Sequence, residues 1–212
     1  ILGFSRMLHR NSIRLSLQEG TAGIEKSALR LLSLIDELLD ESRAAAGKLA
    51  ISPVPTLLLP WLDEVCESAQ VFCEAQGNRF ICERSGKLPQ AVSIDSDRLR
   101  QILENLLSNA NRHTSRGEIS LQCSAWSENE MAVLNFAVSD TGEGIAPDQL
   151  HSIFEPFVRG KEAKDGDGRR RSGFGLGLSI CRELIHQMGG KILVSSTLKK
   201  GSRFSFTLRC RQ

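Results

Sequence analysis

The feature that most constrains this chain is a change of period partway along it. Apolar residues recur at Ile24, Ala28, Leu31, Ile35 and Leu38, alternately four and three residues apart, which is the spacing of a helical bundle seam. Gly47 and the segment "ISPVP", with Pro53 and Pro55, forbid that helix to continue. Beyond it the pattern changes to short alternating runs divided by turn residues. Such a chain cannot be one uniform bundle or one uniform sheet. It divides near Ser52 into a helical part, residues 1–51, and an α+β part, residues 56–212.

In the helical part, Ser16 and Glu19 form a capping box, and Leu29, Leu32 and Leu39 widen the seam. A helix with so broad an apolar face must pack against partners. The preceding segment "ILGFSRMLHRN" reads as the tail of an antiparallel first helix, so the expectation is a helical hairpin. Two helices make a poor core, whereas a homodimer contributing two from each chain makes a four-helix bundle. In the second part, residues 56–76 and 96–113 read as helices, and residues 79–83, 119–126 and 133–139 as strands. A long polar loop, a third helix and the strand pair 191–197 and 203–209, joined by "LKKGS" as a hairpin, complete the pattern.

Composition removes several function classes. A net charge of +2 does not call for nucleic acid. The longest apolar stretch, "LLLPWL", is too short to span a bilayer, and no segment resembles a signal peptide, so a soluble, cytoplasmic chain is expected, with membrane contact only through a sensor region outside it. Cys66, Cys73, Cys82, Cys123, Cys181 and Cys210 show no C-x-x-C pairing, and His9, His113, His151 and His186 are scattered. Reduced, mostly buried thiols are expected rather than zinc or a disulfide framework. "DGDG" at residues 165–168 opens like a calcium loop, but its twelfth position is Leu176 where a bidentate Glu is needed.

Three motifs carry chemistry. In "DRLRQILENLLSNANRHT", Leu99, Ile102, Leu103, Leu106 and Ala110 make a buried helical face, while Asn105, Asn109 and Arg112 form a stripe along its flank. Asparagine is a mediocre helix former, so two on one stripe suggest a use other than stability. In "VSDTGEGIAP" a strand ends in Asp140, a carboxylate able to accept from an exocyclic amine, beside Gly142 and Gly144, which let a flat base lie on bare backbone. In "RRRSGFGLGLSICRELIHQMGG" the glycines 173, 175 and 177 open a helix whose free N–H groups suit an anion. The preceding residues 159–171 are rich in Lys and Arg and read as a lid.

Together and in this order, these motifs resemble the N, G1 and G2 boxes of the sensor histidine kinases, and "IFEPF" at residues 153–157 resembles their F box. The likeness extends outward: "LLSLIDELLDESRAAAGKL" is similar to the second helix of their dimerisation and phosphotransfer domain, and "MGGKILVSSTLKKGSRFSFTL" to their closing strands. The resemblance implies the ATP-binding α/β sandwich shared with gyrase and the heat-shock chaperone, having a mixed sheet and three main helices. It implies Mg·ATP as cofactor. Asn109 would ligate Mg²⁺ with Asn105 beside it, Asp140 would bind the adenine amine, and Gly142, Gly144 and Ile145 would lie against the base. Gly173, Gly175 and Gly177 would wrap the phosphates with Leu176 and Leu178 anchoring the helix, and Phe174, Arg112, His113 and Arg159 would be further nucleotide-site residues.

The resemblance also implies an activity: γ-phosphoryl transfer to a His, then relay to an Asp of a response-regulator receiver domain. In the family that His sits in a pattern like H-E-L-R-T-P-L, which this register puts before Ile1, so no catalytic residue is expected within residues 1–212 and His9 is no substitute. Two alternatives carry the same fold: an ATPase clamp, and a dimerising scaffold that binds nucleotide without transfer. The clamp enzymes place a Glu base four residues before the metal-binding Asn; here that position is Asn105, which takes no proton at neutral pH.

Overall fold

The computed structural model describes residues 50–128, 131–158 and 175–211, with Thr21, Gly23, Ile24, Glu25, Ala28, Leu31 and Ile35 as isolated helical positions. The remainder of the expected hairpin, the lid at 159–171, Arg159, Gly173 and Phe174 lie outside the described residues.

From residue 54 the elements run β1 (Val54–Leu57), α1 (Leu58–Glu74), β2 (Arg79–Gly86), β3 (Ala91–Ile94), α2 (Ser96–His113), β4 (Glu118–Glu128), β5 (Met131–Asp140), α3 (Gly177–Gln187), β6 (Lys191–Thr197) and β7 (Gly201–Arg211). The strands form one seven-stranded sheet ordered β1-β3-β7-β5-β4-β2, with β6 also on β7. Only β2 and β4 pair in parallel among these neighbours, the chain crossing between them through β3 and α2. The other pairs are antiparallel, so the sheet is mixed, as expected.

The helices cover one sheet face. Ile119, Leu121 and Cys123 of β4, Leu134 and Phe136 of β5 and Phe204, Phe206 and Leu208 of β7 alternate inward and meet Leu62, Leu99, Leu103, Leu106, Ile180 and Leu184 from the helices. Phe136 and Phe206 stack at the centre, ring centroids 5.4 Å apart. The opposite face is polar: Arg203 donates to Gln122 Oε1 (2.6 Å) and Ser139 Oγ (3.0 Å), and Gln122 in turn to Glu83 Oε2. This two-layer sandwich is the α+β fold read from the sequence. No helix among the described residues is long and apolar enough to cross a membrane.

Three details correct the sequence reading. Thr56 and Leu57, read as the start of the 56–76 helix, belong instead to strand β1, because the main chain of residues 54–57 pairs with β3, from Val54↔Ile94 to Leu57↔Ala91, and the helix runs from Leu58 to Glu74. β3 itself, four residues long, was not anticipated. The cysteines are not all free thiols: Cys66 of α1 and Cys82 of β2 are disulfide-bonded, their Cα atoms 6.3 Å apart, because α1 packs on β2. The other four, Cys73, Cys123, Cys181 and Cys210, are free and buried as expected.

Candidate functional site

The site is organised by α2. Asp95 caps it, accepting from Arg98 N–H at 3.0 Å. Its face of Leu99, Ile102, Leu103, Leu106 and Ala110 is buried, which leaves Asn105, Asn109, Arg112 and His113 half-buried along the flank. A third asparagine, Asn111, serves a different purpose. It lies one turn after Leu107 on the buried side, where Asn78 Nδ2 donates to its Oδ1 at 2.7 Å and its own Nδ2 donates to the Phe72 carbonyl at 3.2 Å. Asn78 also reaches the Thr114 carbonyl (3.1 Å) and accepts from Gly117 N–H (3.0 Å). Buried polar groups this fully satisfied fix one geometry, here the end of α2. The motif reading missed Asn78 and Asn111; the position of Asn111 on the apolar face was the available signal.

At that end stands Asp140, the last residue of β5, paired with Ile119 on β4 and Ser202 on β7. Its Oδ1 accepts from Gly142 N–H at 2.8 Å. Burial pushes its carboxyl above the usual range; the N–H groups of Gly142 and Ser202 and the nearby His113 pull it back, and Glu143 adds to the rise. A side chain on Gly142 would overlap the His113 carbonyl oxygen. His113 Nδ1 lies 2.8 Å from Glu143 Oε1, and Glu143 N–H donates to the His113 carbonyl at 3.2 Å. On its other side the loop rests on the β6–β7 turn. Gly144, at φ +66°, leaves no room for a Cβ beside the Thr197 carbonyl, Ile145 N–H donates to Ser196 Oγ (2.8 Å), and Lys199 N–H to the Glu143 carbonyl (2.7 Å). Both glycines are thus demanded by close backbone approach. Glu143, Ser196 and Ser202 hold this loop and were not legible as site residues, since nothing local to them marks it.

The second limb is the start of α3. Gly175 adopts φ +76°, and its carbonyl accepts from Phe157 N–H at 2.9 Å, which joins the glycine turn to residues 153–157. Phe154 of that segment meets Phe204 edge-on, centroids 6.3 Å apart. Leu176 is buried and Leu178 packs against the core, anchoring the helix. Gly177 begins α3 with no side-chain cap before it, and a Cβ there would stand 3.4 Å from Asn105 Oδ1. The structure therefore brings Gly177 to Asn105 at one place on α2 and the Asp140 loop to His113 further along, with Asn109 between.

This arrangement offers a half-buried carboxylate as acceptor, bare backbone at Gly142 and Gly144, uncapped N–H groups at a helix start and amide side chains between them. A purine base with a phosphate chain fits those groups. Among the described residues no cluster of His, Cys, Asp and Glu could hold a metal ion unaided.

The family described as histidine kinase-, DNA gyrase B-, and HSP90-like ATPase matches residues 94–212. The sensor protein GacS of Pseudomonas syringae pv. syringae is 37% identical over 99% of this chain, which covers 23% of it. The aerobic respiration control sensor protein ArcB of Escherichia coli (strain K12) is 32% identical over 98% of this chain, which covers 26% of it. The chain thus spans about a quarter of the length of these curated relatives. The crystal structure of full-length ShkA in complex with AMPPNP matches with a TM-score of 0.75 at 30% identity, covering 100% of this chain and 43% of that one. With its sheet, its helices and its glycine-bearing loops accounted for, this chain belongs to the histidine kinase-, DNA gyrase B- and HSP90-like ATPase family, among the sensor histidine kinases.

Proposed function

We propose that the chain is the kinase core of a sensor histidine kinase, binding Mg·ATP along α2 and delivering its γ-phosphoryl to a His for relay to a receiver-domain Asp. The observation that carries this reading is the convergence of two loops on one helix. From Asn105, beside Gly177, to His113, beside the Asp140 loop, is about 12 Å at ~1.5 Å per residue. That span suits a nucleotide lying with its base at Asp140 and its phosphates at the start of α3.

In this reading Asp140 accepts from the adenine amine, and Gly142, Gly144 and Ile145 form the floor under the ring. Gly175, Leu176, Gly177 and Leu178 present the N-terminal N–H groups of α3 to the phosphates. Gly173, Phe174 and Arg159 are assigned to the same task by sequence alone. Asn105 and Asn109 would hold Mg²⁺ through their amide oxygens, and Arg112 adds positive charge. When bound, Mg²⁺ would neutralise phosphate charge, which together with positioning is what phosphoryl transfer chiefly requires. His113, held by Glu143, orients the loop that bears Asp140. The helical part dimerises, the protein acts in the cytoplasm, and the receiver domain is its partner.

The relatives named above favour this reading over an ATPase clamp, and so does Asn105 at the place of the clamp's Glu base. Calorimetric titration with Mg·ATP and incubation with labelled ATP test it. Residues 1–212 should bind the nucleotide yet form no acid-labile phosphohistidine alone. Absence of binding at millimolar nucleotide, or stoichiometric label on His9, would overturn it.

A further inference from the structure

Ahead of β1 runs a linker, described from residue 50. Ala50, Ser52 and Pro53 are exposed, and Ile51 is the side chain there that packs against the core. The chain then enters β1, whose first rung, Val54↔Ile94, is also the last of β3. Directly after Ile94 comes Asp95. One of its carboxylate oxygens, Oδ1, accepts from Arg98 N–H and caps α2; the other, Oδ2, accepts from Ser52 N–H at 2.7 Å. Asp95 is 7% exposed, and its carboxylate continues the β1–β3 ladder by one side-chain bond into the linker. Beside it lies a cavity of about 390 Å³, lined among others by Ala50, Ser52, Asp97 and Gln101, so linker and helix start are not packed flush there.

A helix cap needs one oxygen, and Ser, Asn and Asp serve nearly alike as caps. The second carboxylate oxygen lies free of the cap and can hold another donor, and here that donor belongs to the linker. We infer that Asp95 is a positioning residue that ties the linker to the start of α2, so that the helix bearing Asn105 and Asn109 and the linker leading back to the helical part turn as one body. Resting on the kinase reading above, this makes Asp95 a determinant of how the bound γ-phosphoryl is aimed at its acceptor, with no contact to the nucleotide.

Two substitutions separate the tie from the fold. Asp95→Ser keeps an oxygen for Arg98 N–H and leaves none for Ser52. Ser52→Pro removes the linker donor and keeps the Asp95 side chain and its cap on Arg98 N–H. Hydrogen exchange of the Ser52 amide in residues 1–212 reads the tie directly: slowed in the unmodified chain, and at the unprotected rate in Asp95→Ser. Phosphohistidine formation from labelled ATP in the full-length protein reads the function. Both variants should lose fivefold or more in kcat with the KM for ATP and the Mg·ATP dissociation constant within twofold. Unchanged kcat in both, a loss confined to KM, or a loss in Asp95→Ser that Ser52→Pro does not share would overturn the inference. If the unmodified protein itself binds no Mg·ATP, the kinase reading fails and the aiming role with it, while the amide measurement still reports whether the tie exists.

Discussion

His113 and Glu143 are joined twice, through Nδ1 and Oε1 at 2.8 Å and through the Glu143 N–H and the His113 carbonyl at 3.2 Å. The side-chain half of this junction is partly exposed, 37% at His113 and 47% at Glu143. Exposed pairs contribute little, so Glu143→Ala should change stability by no more than about 1 kcal/mol. Gly142→Ala acts on the main-chain half, where a Cβ overlaps the His113 carbonyl, and should cost on the order of 1–3 kcal/mol. Urea unfolding of the two variants side by side checks the contrast.

Asp140→Asn replaces the carboxylate proposed to meet the adenine amine. A hydrogen bond to a charged group contributes about 1.5–3 kcal/mol, so Mg·ATP affinity should fall about tenfold or more, by calorimetric titration, with the fold intact.

The same carboxylate predicts a pH dependence. Burial holds the folded pKa of Asp140 above its ordinary value of about 3.9, so in the interval between them the native state binds more protons than the unfolded one. Its contribution to stability is complete below pH ~3.9 and is lost as pH rises through the folded value. The unfolding free energy of the unmodified chain relative to Asp140→Asn should therefore decline with rising pH across that interval. A difference that grows with pH would show that the N–H groups of Gly142 and Ser202 outweigh burial.

Gly175 and Gly177 should respond differently to the same added methyl group. At Gly175 the backbone is at φ +76° and a Cβ would lie 2.8 Å from the Val158 carbonyl oxygen, so Gly175→Ala should destabilise by about 1–3 kcal/mol. At Gly177 the nearest atom is Asn105 Oδ1 at 3.4 Å, an ordinary contact, so Gly177→Ala should leave stability within about 0.5 kcal/mol. Weaker Mg·ATP binding by the stable Gly177→Ala protein would then report on the phosphate side of the site alone.

The cysteines give a count. Unfolded without reductant, the chain should expose four reactive thiols, and six after reduction. In the folded state those four should react slowly at pH 8, since burial pushes Cys73 and Cys210 to about 11 and Cys123 and Cys181 to about 12. Removing the Cys66–Cys82 bond, which closes a separation of 16 residues, should cost about 3 kcal/mol.

The bounds of α2 were legible in the sequence because its apolar period is strong, and the structure closes it with the Asp95 cap and an extended exit at Thr114. β6 was legible because turn residues bound it on both sides. β1 and β3 were not, being four residues each and defined by pairing across a sheet that no local pattern reveals. For the site, the glycines and Asp140 were readable as residue types needing bare backbone and an acceptor. What holds them, the Glu143 pairing and the hairpin turn under Gly144, comes from segments distant in sequence. The Cys66–Cys82 bond was hidden for the same reason, since it depends on which strand α1 covers.

β7 lies inside the sheet, flanked by β5 on one edge and by β6 and β3 on the other, yet it follows every other described strand in sequence. On the ribosome β3, β5 and β6 must wait for it to complete their pairing. Until residues 201–211 emerge, β5 lacks one neighbour, β6 lacks its partner, and the turn that supports Gly144 does not exist. A nascent chain halted after α3 would hold all three motifs and still lack a finished binding loop, so the competence to take nucleotide should appear late and abruptly during synthesis.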